Sequence, residues 1–370
     1  MSGTSDLKVG IVGCGNISAA YARGLARLDG VALVACADVD EARAAAAAQA
    51  YGLRQASVSE LLTSPEIAIV VNLTPPLAHA DVTSQALRAG KHVFTEKPLA
   101  ATFAEAVTVV DEAHRAGLVL GSAPDTFLGS AGQTARRLVD SGELGEIVGA
   151  SAFVTHSCAE MWHPDPTFLF IHGGGPSLDM GPYYIGALVN LLGPVGSVFS
   201  QSRIGSAVRP MFTPERTVEE INVQIPTHCS AVVTFASGAI GTVLMSFDVW
   251  NHELPHIELY GTKGTLSVPD PDRYDDVVRY RMHADEDWHA AEPVIPPLTA
   301  GMSEEDLPLR GPGVADLAGA LSGQGQRCSA DFALHVLEVL ETIAIGDGVP
   351  HDMTTACERP ASVEPLAASF

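Results

Sequence analysis

A β-branched run, VGIV at 9–12, passes directly into Gly13-Cys14-Gly15-Asn16-Ile17-Ser18 and then into the apolar-periodic stretch ISAAYARGLARL. A strand that turns on glycines into a helix must return through a crossover, so this opening commits the chain to a parallel sheet. The pattern continues to about residue 122. VALVACA (31–37), IAIVVNL (67–73), HVFT (92–95) and LVLGS (118–122) alternate with Ala-rich helical stretches, several of which end at glycine. That alternation predicts βαβ units in an N-terminal domain over 1–123.

The loop resembles G-x-G-x-x-G with Ser18 in the third place. Gly13 and Gly15, with Asn16 and Ile17, are placed to bring backbone N–H groups against a pyrophosphate at a helix N-terminus. Glycines after a strand also occur in plain turns, so the loop gains weight from Asp38, which ends the second strand. A carboxylate there binds the adenosine ribose hydroxyls and repels a 2′-phosphate. No basic residue follows it until Arg43, which favours NAD over NADP; the other reading is that Asp38 only begins a solvated turn. Asn72-Leu73-Thr74-Pro75-Pro76 with His79, and Thr95-Glu96-Lys97-Pro98, follow the third and fourth long strands. Both lie where open parallel sheets bind ligands, beyond the carboxyl ends of the strands.

After Ala123 the spacing changes. A helix near 130–141 and a strand at 147–156 precede a glycine cluster that opens a helix over 176–193. AVVTFAS (231–237), AIGTVLMSFDVW (239–250), HIELYG (256–261) and GTLSV (264–268) then follow too closely for crossover helices. They predict an α+β domain over 124–350 with an open, mainly antiparallel sheet. Segment 270–312 reads as a surface excursion, 328–346 as a closing helix and 351–370 as an irregular tail.

Composition narrows the function classes. The 21 Lys and Arg against 44 Asp and Glu give a formal charge of −23. Such a surface repels nucleic-acid phosphates and anionic headgroups. The first residues lack a positive segment leading into a long apolar run, and no stretch approaches the roughly 20 apolar residues of a membrane span, so a cytoplasmic protein is expected. Six cysteines at 14, 36, 158, 229, 328 and 357 form no CxxC and read as reduced thiols. The histidines at 228, 252, 256, 283 and 289 share no metal-like spacing with carboxylates, and no metal is expected.

NLTPPLAH, AGKHVFTEKPLA and HGGGPSLDMGPYY, in that order behind the glycine loop, resemble the Gfo/Idh/MocA family, named for glucose–fructose oxidoreductase, inositol dehydrogenase and a rhizopine-catabolism protein. The similarity extends to FASGAIGTVLMSF and IELYGTKGTLSV, so it spans most of the chain. It implies an N-terminal Rossmann domain, a C-terminal α/β domain used for dimer or tetramer contacts, a nicotinamide cofactor, and a sugar, cyclitol or related substrate. By the same resemblance Glu96 lies by the nicotinamide ribose and Lys97 reaches the reacting oxygen, with the Lys97-Pro98 bond frequently cis in the family. The family's second motif places a histidine four residues after an aspartate. Here the matching residues are Asp179 and Tyr183, and the tyrosine departs from that pattern.

Oxidising a secondary alcohol requires a base for the hydroxyl proton and positive charge near the developing alkoxide. Lys97 supplies charge. A tyrosine ordinarily titrates near pH 10, and an ammonium beside it lowers that value. Tyr183 is therefore the first candidate base, with Asp179 and His172 as alternatives. Four residues apart on one helix, Asp179 and Tyr183 would share a face. Trp162 and His163, in a loop between two prolines and the strand before it, are candidate contacts for a sugar ring and hydroxyl. Asp125 and His156 are further polar candidates for the substrate pocket. Two enzymatic readings emerge. One is an NAD-dependent dehydrogenase of a sugar, glycoside or cyclitol. The other, also known in the family, is a glycosidase-like enzyme that oxidises and re-reduces its substrate on retained NAD. The third possibility is a non-catalytic NAD-sensing protein, against which Lys97, Asp179 and Tyr183 argue.

Overall fold

The computed structural model describes residues 6–156, 159–302 and 308–363; Cys158 lies outside them. In chain order the first elements are β1 (Leu7–Val12), α1 (Ser18–Leu25), β2 (Val31–Ala37), α2 (Glu41–Tyr51), β3 (Arg54–Gln55) and α3 (Val58–Thr63). They are followed by β4 (Ile69–Asn72), α4 (Pro76–Arg88), β5 (His92–Thr95), α5 (Phe103–Ala116) and β6 (Leu120–Ser122). Next come α6 (Ser130–Asp140), β7 (Ile147–Thr155), α7 (Pro176–Asp179), α8 (Gly181–Leu192), β8 (Val195–Arg203), β9 (Val208–Pro210) and β10 (Glu220–Asn222). The remainder comprises β11 (His228–Phe235), β12 (Ile240–Ser246), β13 (Ile257–Gly261), β14 (Gly264–Val268), β15 (Arg279–Met282), β16 (His289–Ala290), α9 (Pro312–Leu321), α10 (Ala330–Ile345) and β17 (Asp347–Asp352).

The chain divides into two compact units, one of 1–125 with 299–334 and the other of 126–298 with 335–370. The first boundary lies two residues from the expected one. The later assignment differs: 299–334, expected in the second domain, belongs to the first unit. Its attachment is visible in the bonds it makes there. Arg310 N donates to Ala20 O at 3.2 Å, and Ser122 N to Cys328 O at 3.2 Å.

The first unit holds a six-stranded parallel sheet in the order β3-β2-β1-β4-β5-β6. Strand order reverses at β1 and β4, the point where such sheets bind ligands. β4 is buried at every position, as a strand covered by helices on both faces must be. Ser57 with Glu60, and Thr102 with Glu105, form reciprocal caps on α3 and α5.

The second unit carries a nine-stranded sheet in the order β16-β15-β14-β13-β7-β12-β11-β8-β17. Only β7 and β12 pair in parallel; the other neighbours are antiparallel. All twelve residues of α8 are buried, which suits a sequence as apolar as GPYYIGALVNLL. Two expectations need correction here. The segment 270–312 does not merely cross the surface, because 279–282 and 289–290 extend the sheet edge as β15 and β16. Nor is the end wholly irregular: 347–352 pairs with β8, and the Glu338 carboxylate accepts from the N–H groups of Thr354 at 2.7 Å and Thr355 at 2.8 Å. Neither pairing is readable from local pattern, since both depend on where the sheet edge lies.

Candidate active site

The glycine loop works through two different glycines. Gly13 has φ +100°, and a Cβ there would stand 2.6 Å from the Leu73 carbonyl carbon, so only glycine fits against the strand end of β4. Gly15 meets nothing within 4 Å, which leaves its side of the loop open to a ligand. No side chain caps α1 at Ile17, so the helix begins beside that opening without a side-chain acceptor. Asn16 beside it is exposed.

Asp38 is fixed by the backbone. Its Oδ2 accepts from Cys14 N at 2.7 Å and its Oδ1 from Asp40 N at 2.8 Å, tying the second strand's end to the glycine loop. Each oxygen keeps a lone pair for a ribose hydroxyl. The carboxylate borders a cleft of about 460 Å³ lined also by Val39, Glu41, Gln55, Ser57 and Glu60. Arg43, the nearest base in sequence, pairs with Asp40 at 3.3 Å. A 2′-phosphate there would meet the Asp38 and Glu41 carboxylates. The residues present fit a dinucleotide with an unphosphorylated ribose: an open glycine, an uncapped helix start and a carboxylate held in place.

The loops after β4 and β5 are joined by buried polar groups. Asn72 donates through Nδ2 to His79 O at 3.0 Å and to Thr83 Oγ1 at 3.1 Å, and its Oδ1 accepts from Thr74 Oγ1 at 2.7 Å. Pro75, exposed, precedes α4, which begins at Pro76. His79 is fully enclosed, with Nδ1 2.7 Å from Pro98 O and Nε2 2.7 Å from Thr74 O. Its ring is thereby engaged on both edges, which corrects the expectation of direct cofactor contact. Burial lowers its pKa, against the two carbonyls and the Glu96 carboxylate, which raise it.

Glu96 is buried, and its Oε1 accepts from Tyr21 Oη at 2.9 Å while Oε2 accepts from Lys97 N at 2.8 Å. The glutamate thus orients the backbone that carries Lys97. The Lys97-Pro98 bond is cis, and Lys97 itself is half-buried. Tyr21 was not foreseen. Its partner is 75 residues away, and nothing in its local sequence marks it.

In the second unit the stretch expected as one helix is broken at Met180. Asp179 ends α7, whereas Tyr183 lies in the first turn of α8 with its N–H on Met180 O at 3.1 Å. The pair therefore does not share one continuous helical face. Proline at 182 and glycine at 181 account for the restart, since proline is favoured in a first turn. Tyr183 is buried and Asp179 half-buried.

His156 follows β7, with its ring 5.0 Å from that of Phe247. Burial lowers its imidazole pKa, and the carboxylates of Asp179 and Asp270 act in the opposite direction. His172 is exposed. Trp162 is 65% exposed, and His163 meets the Trp162 and Phe168 rings edge-on at 5.5 and 5.3 Å. The segment beneath them hangs on Arg209, which bonds Glu160 and Asp248 and donates to Phe247 O at 3.0 Å. Asp125 is a correction: it is wholly buried, and its Oδ2 accepts from Gly313 N at 2.8 Å and Gly311 N at 3.3 Å, at the start of α9. A carboxylate so enclosed serves the backbone rather than a substrate.

Residues 7–123 match the model of an oxidoreductase family with an NAD-binding Rossmann fold, and 133–267 match the GFO/IDH/MocA C-terminal domain. The chain belongs to the Gfo/Idh/MocA family. Among curated relatives, a 1,5-anhydro-D-fructose reductase of Ensifer adhaerens is 33% identical over 146 residues, 39% of this chain and 44% of that protein. A myo-inositol 2-dehydrogenase of Thermotoga maritima is 24% identical over 269 residues, 70% of this chain and 74% of the relative. The chain thus spans less than half of the first relative's length. Levoglucosan dehydrogenase in complex with NADH and levoglucosan superposes with a TM-score of 0.78 at 21% identity, covering 95% of this chain and 100% of that one. That likeness extends the Gfo/Idh/MocA fold over both units. Among the described residues no helix is long and apolar enough to cross a membrane.

Proposed function

We propose that this Gfo/Idh/MocA protein is an NAD-dependent dehydrogenase that oxidises a secondary hydroxyl of a sugar, glycoside or cyclitol to a ketone, or runs the reverse reduction. The observation that carries the reading is the Glu96-Lys97 turn. It is held by Tyr21 and by its own backbone at the carboxyl end of β5, in the sheet that also carries the Asp38 nucleotide site. Bound NAD⁺ supplies the hydride acceptor. Lys97 places positive charge where the alkoxide develops, and Tyr183, as the phenolate that an ammonium favours, takes the hydroxyl proton, with Asp179 orienting the pair or binding a neighbouring hydroxyl. The assignment of these three residues to one reaction rests on the two family motifs. Names of the relatives, which include a sugar reductase and an inositol dehydrogenase, support a polyol or sugar substrate.

Trp162 and His163 are the proposed contacts for the sugar ring, since an exposed indole offers an apolar face and an imidazole beside it a polar edge. On the second unit's sheet, Phe199, Val232, Ile240 and Tyr260 are exposed and share one face by strand register. We assign that face to a second copy of the chain, as a homodimer or homotetramer contact. A panel of sugars, glycosides and inositols with NAD⁺ at mildly alkaline pH tests the activity. Free NADH accumulating with one of them is the expected result; glycoside cleavage without net NADH would replace this reading with the glycosidase-like one.

A further inference from the structure

The enclosed histidine of the first unit has no role in the chemistry above, yet it sits between the two loops that matter most to it. His79 is 0% exposed, and its two ring nitrogens lie 2.7 Å from the carbonyl oxygens of Pro98 and Thr74. One carbonyl belongs to the residue after Lys97. The other belongs to the loop that follows β4, packed against Gly13 of the nucleotide loop through Leu73. Both loops are tied again at Asn72, whose carbonyl oxygen accepts from Glu96 N at 2.9 Å.

An imidazole has distinct edges. The neutral ring carries one N–H and one lone pair and donates to a single carbonyl, whereas the protonated ring donates to both. The ring spans the two carbonyls, its single N–H donated to one of them and its other edge packed against the second. We propose that His79 is a positioning residue with two separable functions. Its Nδ1 edge sets the direction of Lys97 through the Pro98 carbonyl, and its Nε2 edge sets the Thr74-Pro75 loop that borders the cofactor. The inference deepens the dehydrogenase reading and rests on it for the role of Lys97.

Asparagine and glutamine separate the two edges. An asparagine amide nitrogen falls near Nδ1 and a glutamine amide nitrogen near Nε2, so each variant keeps a polar contact with one loop and releases the other. His79→Gln, which frees Pro98, is expected to lower kcat about 10- to 100-fold with the NADH Kd within about threefold, because small misplacements of a reacting group cost rate before affinity. His79→Asn, which frees Thr74, is expected to raise the NADH Kd about tenfold with kcat within about threefold. Equal losses in both variants, or a fall in Tm alone, would overturn the proposal.

Lys97 reactivity toward an amine reagent, read by mass spectrometry, supplies an arm that needs no turnover. The Gln variant should change the rate of labelling at Lys97 and the Asn variant should not. If the wild-type protein oxidises no polyol, the dehydrogenase reading fails while this arm still decides the role of His79. Should neither variant fold, the ring ¹⁵N resonances of His79 in the wild-type protein are followed as NADH is added. Movement at saturation supports the coupling, and a ring indifferent to the cofactor overturns it.

Discussion

The loops around Lys97 and the segment carrying Trp162 are built in opposite ways. At 72–79 and 95–98, Asn72, His79 and Glu96 are buried and bonded to one another's loops, so the backbone on either side of Lys97 is held from within the fold. At 159–172 the large side chains of Met161, Trp162 and Phe168 face solvent, above a buried anchor of Arg209 with Glu160 and Asp248. A fixed frame suits chemistry common to every substrate. An exposed aromatic surface suits recognition, because its apolar area is still available to be covered.

The sharpest way to break this contrast is to remove the ammonium from the fixed loop. Lys97→Met is expected to lower kcat/KM by about 10³-fold while the NADH Kd changes less than about threefold, measured by steady-state kinetics and fluorescence titration. If the NADH Kd rises as kcat/KM falls, the loop holds cofactor rather than charge. Next in size is the anchor of the other region. Arg209→Met strands the buried Glu160 carboxylate and the half-buried one of Asp248 and should destabilise the second unit by about 3–5 kcal/mol, seen as an early transition in thermal unfolding.

Asp38→Ala should reduce the preference for NADH over NADPH by about 10- to 100-fold, the range expected for losing hydrogen bonds to a charged group together with its repulsion of phosphate. Unchanged discrimination would return Asp38 to a turn-forming role. Smaller still, Trp162→Ala should raise KM for the sugar about threefold to tenfold and leave the NADH Kd alone; an unchanged KM would remove the loop from recognition.

A pH test lies outside both regions. Burial pushes the Glu338 carboxyl up, but its bonds from Thr354 and Thr355 outweigh that and hold it below the ordinary carboxylate value. A depressed carboxylate contributes stability that is present above its unfolded pKa, near 4.3, and is lost as pH falls through the folded value. Glu338→Gln should therefore be less stable than the wild-type protein at pH 7, with the difference closing below about pH 4 in denaturant melts. A constant gap across that range would assign the effect to packing.

Much of the first unit was legible because its signals are local. A strand, a glycine turn and a helix follow one another within about a dozen residues, and the Asp38 and Glu96-Lys97 positions fall at strand ends that the same periodicity marks. The broken helix at Met180 was less so, since the apolar pattern runs through Gly181 and Pro182 without showing which residue starts the new turn. Asp125 and His79 were misread for a different reason. Both are polar residues beside expected ligand loops, and composition cannot tell a group that faces a ligand from one that satisfies buried backbone carbonyls or N–H groups.

What the amino-acid order determined alone is the alternation of strand and helix, the glycine loop and the residue types at strand ends, because these follow from backbone geometry and hydrophobic period over short windows. What only the tertiary structure decided is which polar atoms find each other. Tyr21 meets Glu96, His79 grips two carbonyls, Arg209 joins Glu160 to Asp248, and 299–334 returns to the first unit. The side-chain pairings among them link residues from 5 to 75 apart in the chain, and the return of 299–334 spans far more. Burial enforces them, since an enclosed polar group must be partnered, but nothing in the local sequence names the partner.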